Sequence, residues 1–157
     1  MKLRLFFIYV VILANVDFVA ACEPCADYFN LEGTIQAADV IVVGEKISEG
    51  PHTDPRPEGL GGPEWIEVNV QQVLKGQVQE KNIRVNSWQA MCLYGIQLEK
   101  GMHVIFLSNP QNSPAYDAVN YGCSLKALSI EDDMVLYEGK QIPLSNLKRM
   151  ISEVKYE

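Results

Sequence analysis

With 157 residues the chain is sized for one domain with its own hydrophobic core. Its 13 lysines and arginines face 20 aspartates and glutamates, a net −7, and such a surface repels phosphate backbones and argues against a nucleic-acid partner.

The first residues do not belong to that core. Met1-Lys2-Leu3-Arg4 is a short basic stretch, and Leu5 to Leu13 is an unbroken apolar run. Asn15 and Asp17 end it, and Val19-Ala20-Ala21 places small residues where a signal peptidase needs them. The run is too short to cross a hydrocarbon layer of roughly 30 Å as a helix. Residues 1–21 therefore read as an export signal and residues 22–157 as a single domain. Without Lys2, Arg4 and Asp17 the balance becomes 11 basic and 19 acidic residues, a net −8. All four cysteines, Cys22, Cys25, Cys92 and Cys123, fall in the exported part. An even count in an oxidising compartment predicts two disulfides, and spacing alone leaves all three pairings open.

In chain order, Ala26 to Ala38 predicts a short helix, or coil followed by helix, interrupted near Gly33. Val40-Ile41-Val42-Val43, four β-branched residues in a row, predicts a buried strand. Gly50 to Pro63 holds four prolines and four glycines and predicts a long loop, a kind that is uncommon inside compact domains unless functional or disordered. From Trp65, the residues Ile66, Val68 and Val70 alternate with Glu67, Asn69 and Gln71. The phase slips at Gln71-Gln72, which predicts a β-bulge of the type that curls a strand around a barrel. Lys75-Gly76 turns the chain, and Ile83, Val85 and Ser87 alternate in a third strand.

His103 to Leu107 is apolar on both sides and predicts a central strand, and Tyr116 to Ser124 a fifth extended piece. Glu131-Asp132-Asp133 lacks calcium-loop spacing and reads as a solvated turn. Met134 to Tyr137 and Gln141-Ile142 predict a hairpin turned at Gly139. With Ser145 as N-cap, Leu147, Met150, Ile151 and Val154 recur at helical spacing in an amphipathic closing helix. The sum is a mainly β fold: a small five-stranded Greek-key OB-type barrel with short N-terminal and C-terminal helices.

Several of these segments resemble the netrin-like domains of tissue inhibitors of metalloproteinases. Ala38 to Glu45 is similar to their first barrel strand, and Val73-Leu74-Lys75-Gly76 to the end of their second. Cys92 ahead of Gly101 to Leu107, then Tyr121-Gly122-Cys123-Ser124, follows the family's order, which the paired cysteines at Cys22 and Cys25 complete. The resemblance implies disulfides Cys22–Cys92 and Cys25–Cys123. It also implies a contact surface made of Cys22, Glu23, Pro24 and Cys25 with the loop Gly50 to Pro63. In that family the amine and carbonyl of the first mature cysteine chelate the zinc of a partner metalloprotease, so Cys22 is the expected ligand to a partner's metal. The chain departs from the pattern in its C-x-x-C spacing, in Glu23 where a small residue is usual, and in having no cysteine near Gln36.

Two other readings fit the same N-terminal residues. Val19-Ala20-Ala21-Cys22 also resembles a bacterial lipobox, which would acylate Cys22 and make it a membrane anchor. Cys22-Glu23-Pro24-Cys25 has thiol-oxidoreductase spacing but lacks the βαβ context that lowers a thiol pKa. His52 in the loop and His103 in an apolar strand have no third ligand to make a metal site. Trp65 and Trp88 border strands, where packing is their ordinary role, and no glycine-rich phosphate loop is present. The sequence thus predicts a secreted, cofactor-free binding module with a protein partner, a zinc metalloprotease being the one the resemblance implies, and no enzymatic activity.

Overall fold

A computed structural model of the chain describes residues 30–52, 63–87, 96, 98–109, 115–119 and 125–154. Helix α1 (Leu31–Ala37) precedes strands β1 (Val40–Glu49), β2 (Trp65–Lys75) and β3 (Asn82–Asn86). Then come β4 (Met102–Ser108), β5 (Tyr116–Ala118), β6 (Ala127–Glu131), β7 (Met134–Tyr137), β8 (Lys140–Pro143) and helix α2 (Leu144–Glu153). Neighbouring strands run β1-β2-β3-β5-β4, and β1 pairs again with β4, which closes a five-stranded barrel. Every seam is antiparallel except β3–β5. The fold is the Greek-key OB-type barrel that the strand pattern predicts, capped by two short helices.

Beyond the barrel, β4 also pairs with β6, and β6-β7-β8 continue the sheet as a meander. This extension is larger than the hairpin read from the sequence. Strand β6 was not legible there, and the acidic turn Asp132-Asp133 proves to be the tip of a second hairpin. Both central residues of that turn have positive φ, 49° and 59°, as do Glu138 and Gly139 between β7 and β8, at 50° and 72°. These are two-residue turns of the type I′ kind, whose twist matches that of the strands they join. Glycine at position 139 removes the side-chain cost of the second left-handed residue.

Two apolar layers hold the molecule. Inside the barrel lie Val40, Val42, Ile66, Val68, Ile83, Val85, Ile105 and Leu107. On the outer side of β1, β4 and β6, residues including Ile41, Val43, Val104, Phe106 and Leu128 pack under α1 and α2. Strands β1 and β4 are therefore covered on both faces, which is why both read as continuous apolar runs. Strands β2 and β3 have one face in the barrel and one in solvent, and they alternate. The slip at Gln71 is a true bulge, since Val43 faces Gln72 and Gly44 faces Val70. Leu74 and Ile47 are passed over in the same way, so β1 and β2 coil tightly around one another.

The helix ends differ from the sequence reading in two places. Helix α1 runs unbroken through Gly33, because Asn30 Oδ1 accepts the Gly33 amide at 2.8 Å and caps the first turn. Its amide at Leu31 donates to the Tyr137 hydroxyl at 3.2 Å, tying it to β7. Helix α2 begins at Leu144 with Pro143 as its flanking residue, so Ser145 is not the N-cap. The Leu144 amide instead donates to Asp133 O at 2.8 Å, and the β6–β7 turn takes the role of a capping side chain.

Candidate binding surface at the β1–β2 end

Of the residues singled out in the sequence, Cys22, Glu23, Pro24, Cys25, Cys92, Cys123 and Trp88 lie outside the described residues. The Gly50–Pro63 loop is described at its two ends. His52 and Pro63 form an antiparallel bridge just past the ends of β1 and β2. Below it, the Gly50 amide donates to Trp65 O at 2.9 Å and the Glu64 amide to Pro51 O at 3.0 Å. The Ser87 amide donates to Glu64 O at 2.9 Å, which ties the stem to the end of β3. The two ends of the loop thus meet in a laddered stem that continues β1 and β2.

Close packing locks that stem. A β-carbon on Gly50 would fall 2.5 Å from Trp65 Nε1, so only glycine lets the indole lie across the backbone there. Over the Trp65 ring, 4.4 Å from its centroid, sits the guanidinium of Arg84 on β3. Arg84 stands directly across the ladder from Glu67. Yet the Glu67 carboxylate accepts a 2.7 Å hydrogen bond from the Ser48 hydroxyl, and among the described residues Arg84 makes no ion pair.

Glu49 organises the charge at the base of the loop. Lys46 Nζ lies 2.8 Å from its Oε2, and His52 Nε2 lies 3.2 Å from its Oε1. The hydrogen bond from Lys46 first, and that from His52 second, hold the Glu49 carboxyl below its ordinary range. His103, by contrast, is buried in β4, with Nδ1 3.0 Å from Gly101 O. The two histidines do not meet, and among the described residues no cluster of three His, Cys, Asp or Glu side chains is placed to hold a metal ion.

Sequence reasoning pointed to the loop but missed Ser48, Glu67, Arg84 and the Asn86 amide that donates to Asp117 at 2.7 Å. Their one signal was position. Glu67, Arg84 and Asn86 occupy outward places on the alternating strands β2 and β3 and Ser48 lies in the polar end of β1, and the sequence alone does not say which such residues meet.

Compared with known proteins, the chain matches no family model and no curated protein.

Proposed function

We propose that this is an exported, non-enzymatic binding barrel of the netrin-like kind, held by two disulfides. Its contact surface is the segment Cys22 to Cys25 together with the Gly50–Pro63 loop, and its partner is a protein. The observation that carries this reading is the loop's mounting. A proline- and glycine-rich loop is clamped at both ends by backbone hydrogen bonds on barrel strands, the arrangement by which rigid scaffolds present recognition segments. In OB-type barrels the connection between the first two strands is a common contact element. The order of the netrin-like segments supports the family assignment, and through it the chelation of a partner protease's zinc by the Cys22 amine.

Two measurements test it. Residues 53–62 are replaced by a short glycine linker, and the mature amine is acetylated in a second sample. Both, with the unmodified mature chain, are assayed against a panel of zinc metalloproteases using fluorogenic peptides. Inhibition that is lost on acetylation and weakened by loop replacement is the expected result. Inhibition indifferent to both changes sinks the proposed surface, and no inhibition of any member removes the protease reading. The lipobox-like Val19-Ala20-Ala21-Cys22 supports one competing reading, a lipid-anchored barrel, which an acylated Cys22 in the mass spectrum of the native protein would establish in its place.

A further inference from the structure

Strand β7 departs from the pattern that orders the rest of the sheet. Strands β1 and β4 are apolar on both sides because both faces are covered, and β2 and β3 alternate because one face meets solvent. Met134-Val135-Leu136-Tyr137 is an unbroken apolar run, yet only one side of it is covered. Val135 is buried in the layer under the helices, and Tyr137, Ile130 of β6 and Ile142 of β8 pack against the same layer. Met134 and Leu136 alternate with these onto the opposite face, and no element of the described residues lies across them.

The register defines that second face. Glu131 on β6 and Pro143 on β8 stand across from Met134, and Gln141 stands across from Leu136. Leu136 is 53% exposed, more than any other large apolar side chain among the described residues, and Met134 and Pro143 are half-buried beside it. A shallow groove lined by Ser129, Glu131, Met134, Leu136 and Gln141 runs along this face. Its place in the fold follows from β4. Glu45 of β1 faces Met102, the first residue of β4, and Met102 faces Ile130. Beyond that level β1 runs on to Glu49 and the loop stem, while β6 runs on to Glu131 and the Asp132–Asp133 tip. The two hairpins therefore project from the same end of the barrel, about 10 Å apart where they leave β4, which is two strand spacings.

Charge selects the occupant. Glu131, Asp132 and Asp133 are exposed and, among the described residues, make no ion pair. Acids at one end of an apolar groove complement a partner segment whose apolar side chain is flanked by lysine or arginine. A second copy of the chain would bring the same acids together across a two-fold contact, and the acids repel an anionic lipid surface.

We propose that the open face of β7 is a second protein-docking surface. It seats an apolar side chain of the partner at Met134, Leu136 and Pro143, and the neighbouring basic residues at Glu131 and the Asp132–Asp133 turn. This rests on the reading that the chain binds a protein, and on neither the loop nor Cys22. The test titrates three synthetic hexapeptides into the isotope-labelled mature chain. The first has a Phe-Leu pair between lysines and arginines, the second has glutamates in place of the basic residues, and the third has Ala-Ala in place of the apolar pair. The first is expected to give saturable NMR shifts concentrated on the Met134 and Leu136 methyls and the Gln141 side-chain amide, and the other two to bind at least about tenfold more weakly. Leu136→Ser and Glu131→Lys, both at exposed positions, are expected to weaken binding of the first peptide by about tenfold each, with the remaining backbone signals unmoved. The proposal is overturned if no peptide gives saturable shifts at these groups, if all three bind alike, or if both variants bind as the parent does. A dimer in sedimentation that Leu136→Ser abolishes also overturns it, and assigns the face to a second copy. The loop-replaced and amine-acetylated chains keep this face and should bind the first peptide as the parent does, so a failed protease assay and a failed docking surface are told apart.

Discussion

Lys75 shows how one side chain settles a helix end. The last carbonyls of a helix lack intrahelical partners, and α1 ends without a basic residue in its last turn. Lys75 reaches across from the end of β2 and donates to Ile35 O at 2.8 Å and to Gln36 O at 3.2 Å. The ammonium also meets the negative end of the helix dipole. Lys75→Met keeps much of the aliphatic stem and removes the donors, and is expected to destabilise the fold by about 1.5–3 kcal/mol in urea unfolding. A loss no larger than that of an exposed lysine substitution would show that the cap contributes nothing. Burial lowers the Lys75 pKa, against the smaller opposing effect of Asp39. The folded state therefore releases the proton at lower pH than the unfolded chain does. Stability rises with pH between the lowered value and the ordinary lysine value, and Lys75→Met is expected to lose that rise.

A second residue-scale expectation follows from Glu49. Its carboxyl titrates below the usual range because Lys46 and His52 hydrogen-bond the ionised form. A depressed carboxylate stabilises the fold above its unfolded pKa, and the contribution fades as pH falls through the folded one. In a carbon-detected NMR titration, Lys46→Met is expected to raise the Glu49 midpoint more than His52→Gln does. An unchanged midpoint in Lys46→Met would mean that the pair is not formed in solution.

At the scale of elements, α2 is seated on the outer layer by its buried Leu144, Leu147 and Ile151. Leu147 is fully buried between α2 and the sheet, while Met150 on the same helix is half-buried. Leu147→Ala is expected to cost 2–5 kcal/mol, or about that, with the cavity adding to the lost transfer energy. Met150→Ala should cost clearly less, and equal costs would show that α2 does not seat as described. Much at this scale was legible in the sequence. The double-sided burial of β1 and β4, the single-sided burial of β2 and β3 and the Gln71 bulge each leave a distinct apolar period. Strand β6 left none, because Ala127 and Ser129 are small and its pattern is completed by partners brought from β4 and β7. The start of α2 was misplaced for the same reason: its cap is a backbone carbonyl of a distant turn. Of the candidate surface, the loop announced itself by composition. The Trp65–Arg84 stack did not, since it needs the β2–β3 register.

For the whole molecule, the barrel is only as closed as its weakest seam. Strands β1 and β2 match along nearly their full length, whereas β3 and β5 share two register pairs, Val85–Tyr116 and Asn86–Asp117. Because β3 and β5 are parallel, both run out toward the same end of the barrel. Cys92 follows the end of β3 and Cys123 follows the end of β5, each after a few residues. Bridges from these two to Cys22 and Cys25, which are close neighbours in sequence, would staple the chain on both sides of that seam. Each would close a loop of roughly 70 to 100 residues, and the chain-entropy account gives about 4 kcal/mol apiece as an upper guide. On the pairing that the netrin-like resemblance implies, unreduced peptide mapping of the mature chain is expected to return Cys22–Cys92 and Cys25–Cys123, with a free amine on Cys22. On reduction, amide hydrogen exchange should quicken first at the β3–β5 seam, at Val85, Asn86 and the β5 residues, while the β1–β2 ladder keeps its protection. Loss of protection spread evenly over the barrel would show that the disulfides act on the unfolded chain alone. A different pairing would depart from the one the netrin-like resemblance implies, and would remove that support for the protease reading.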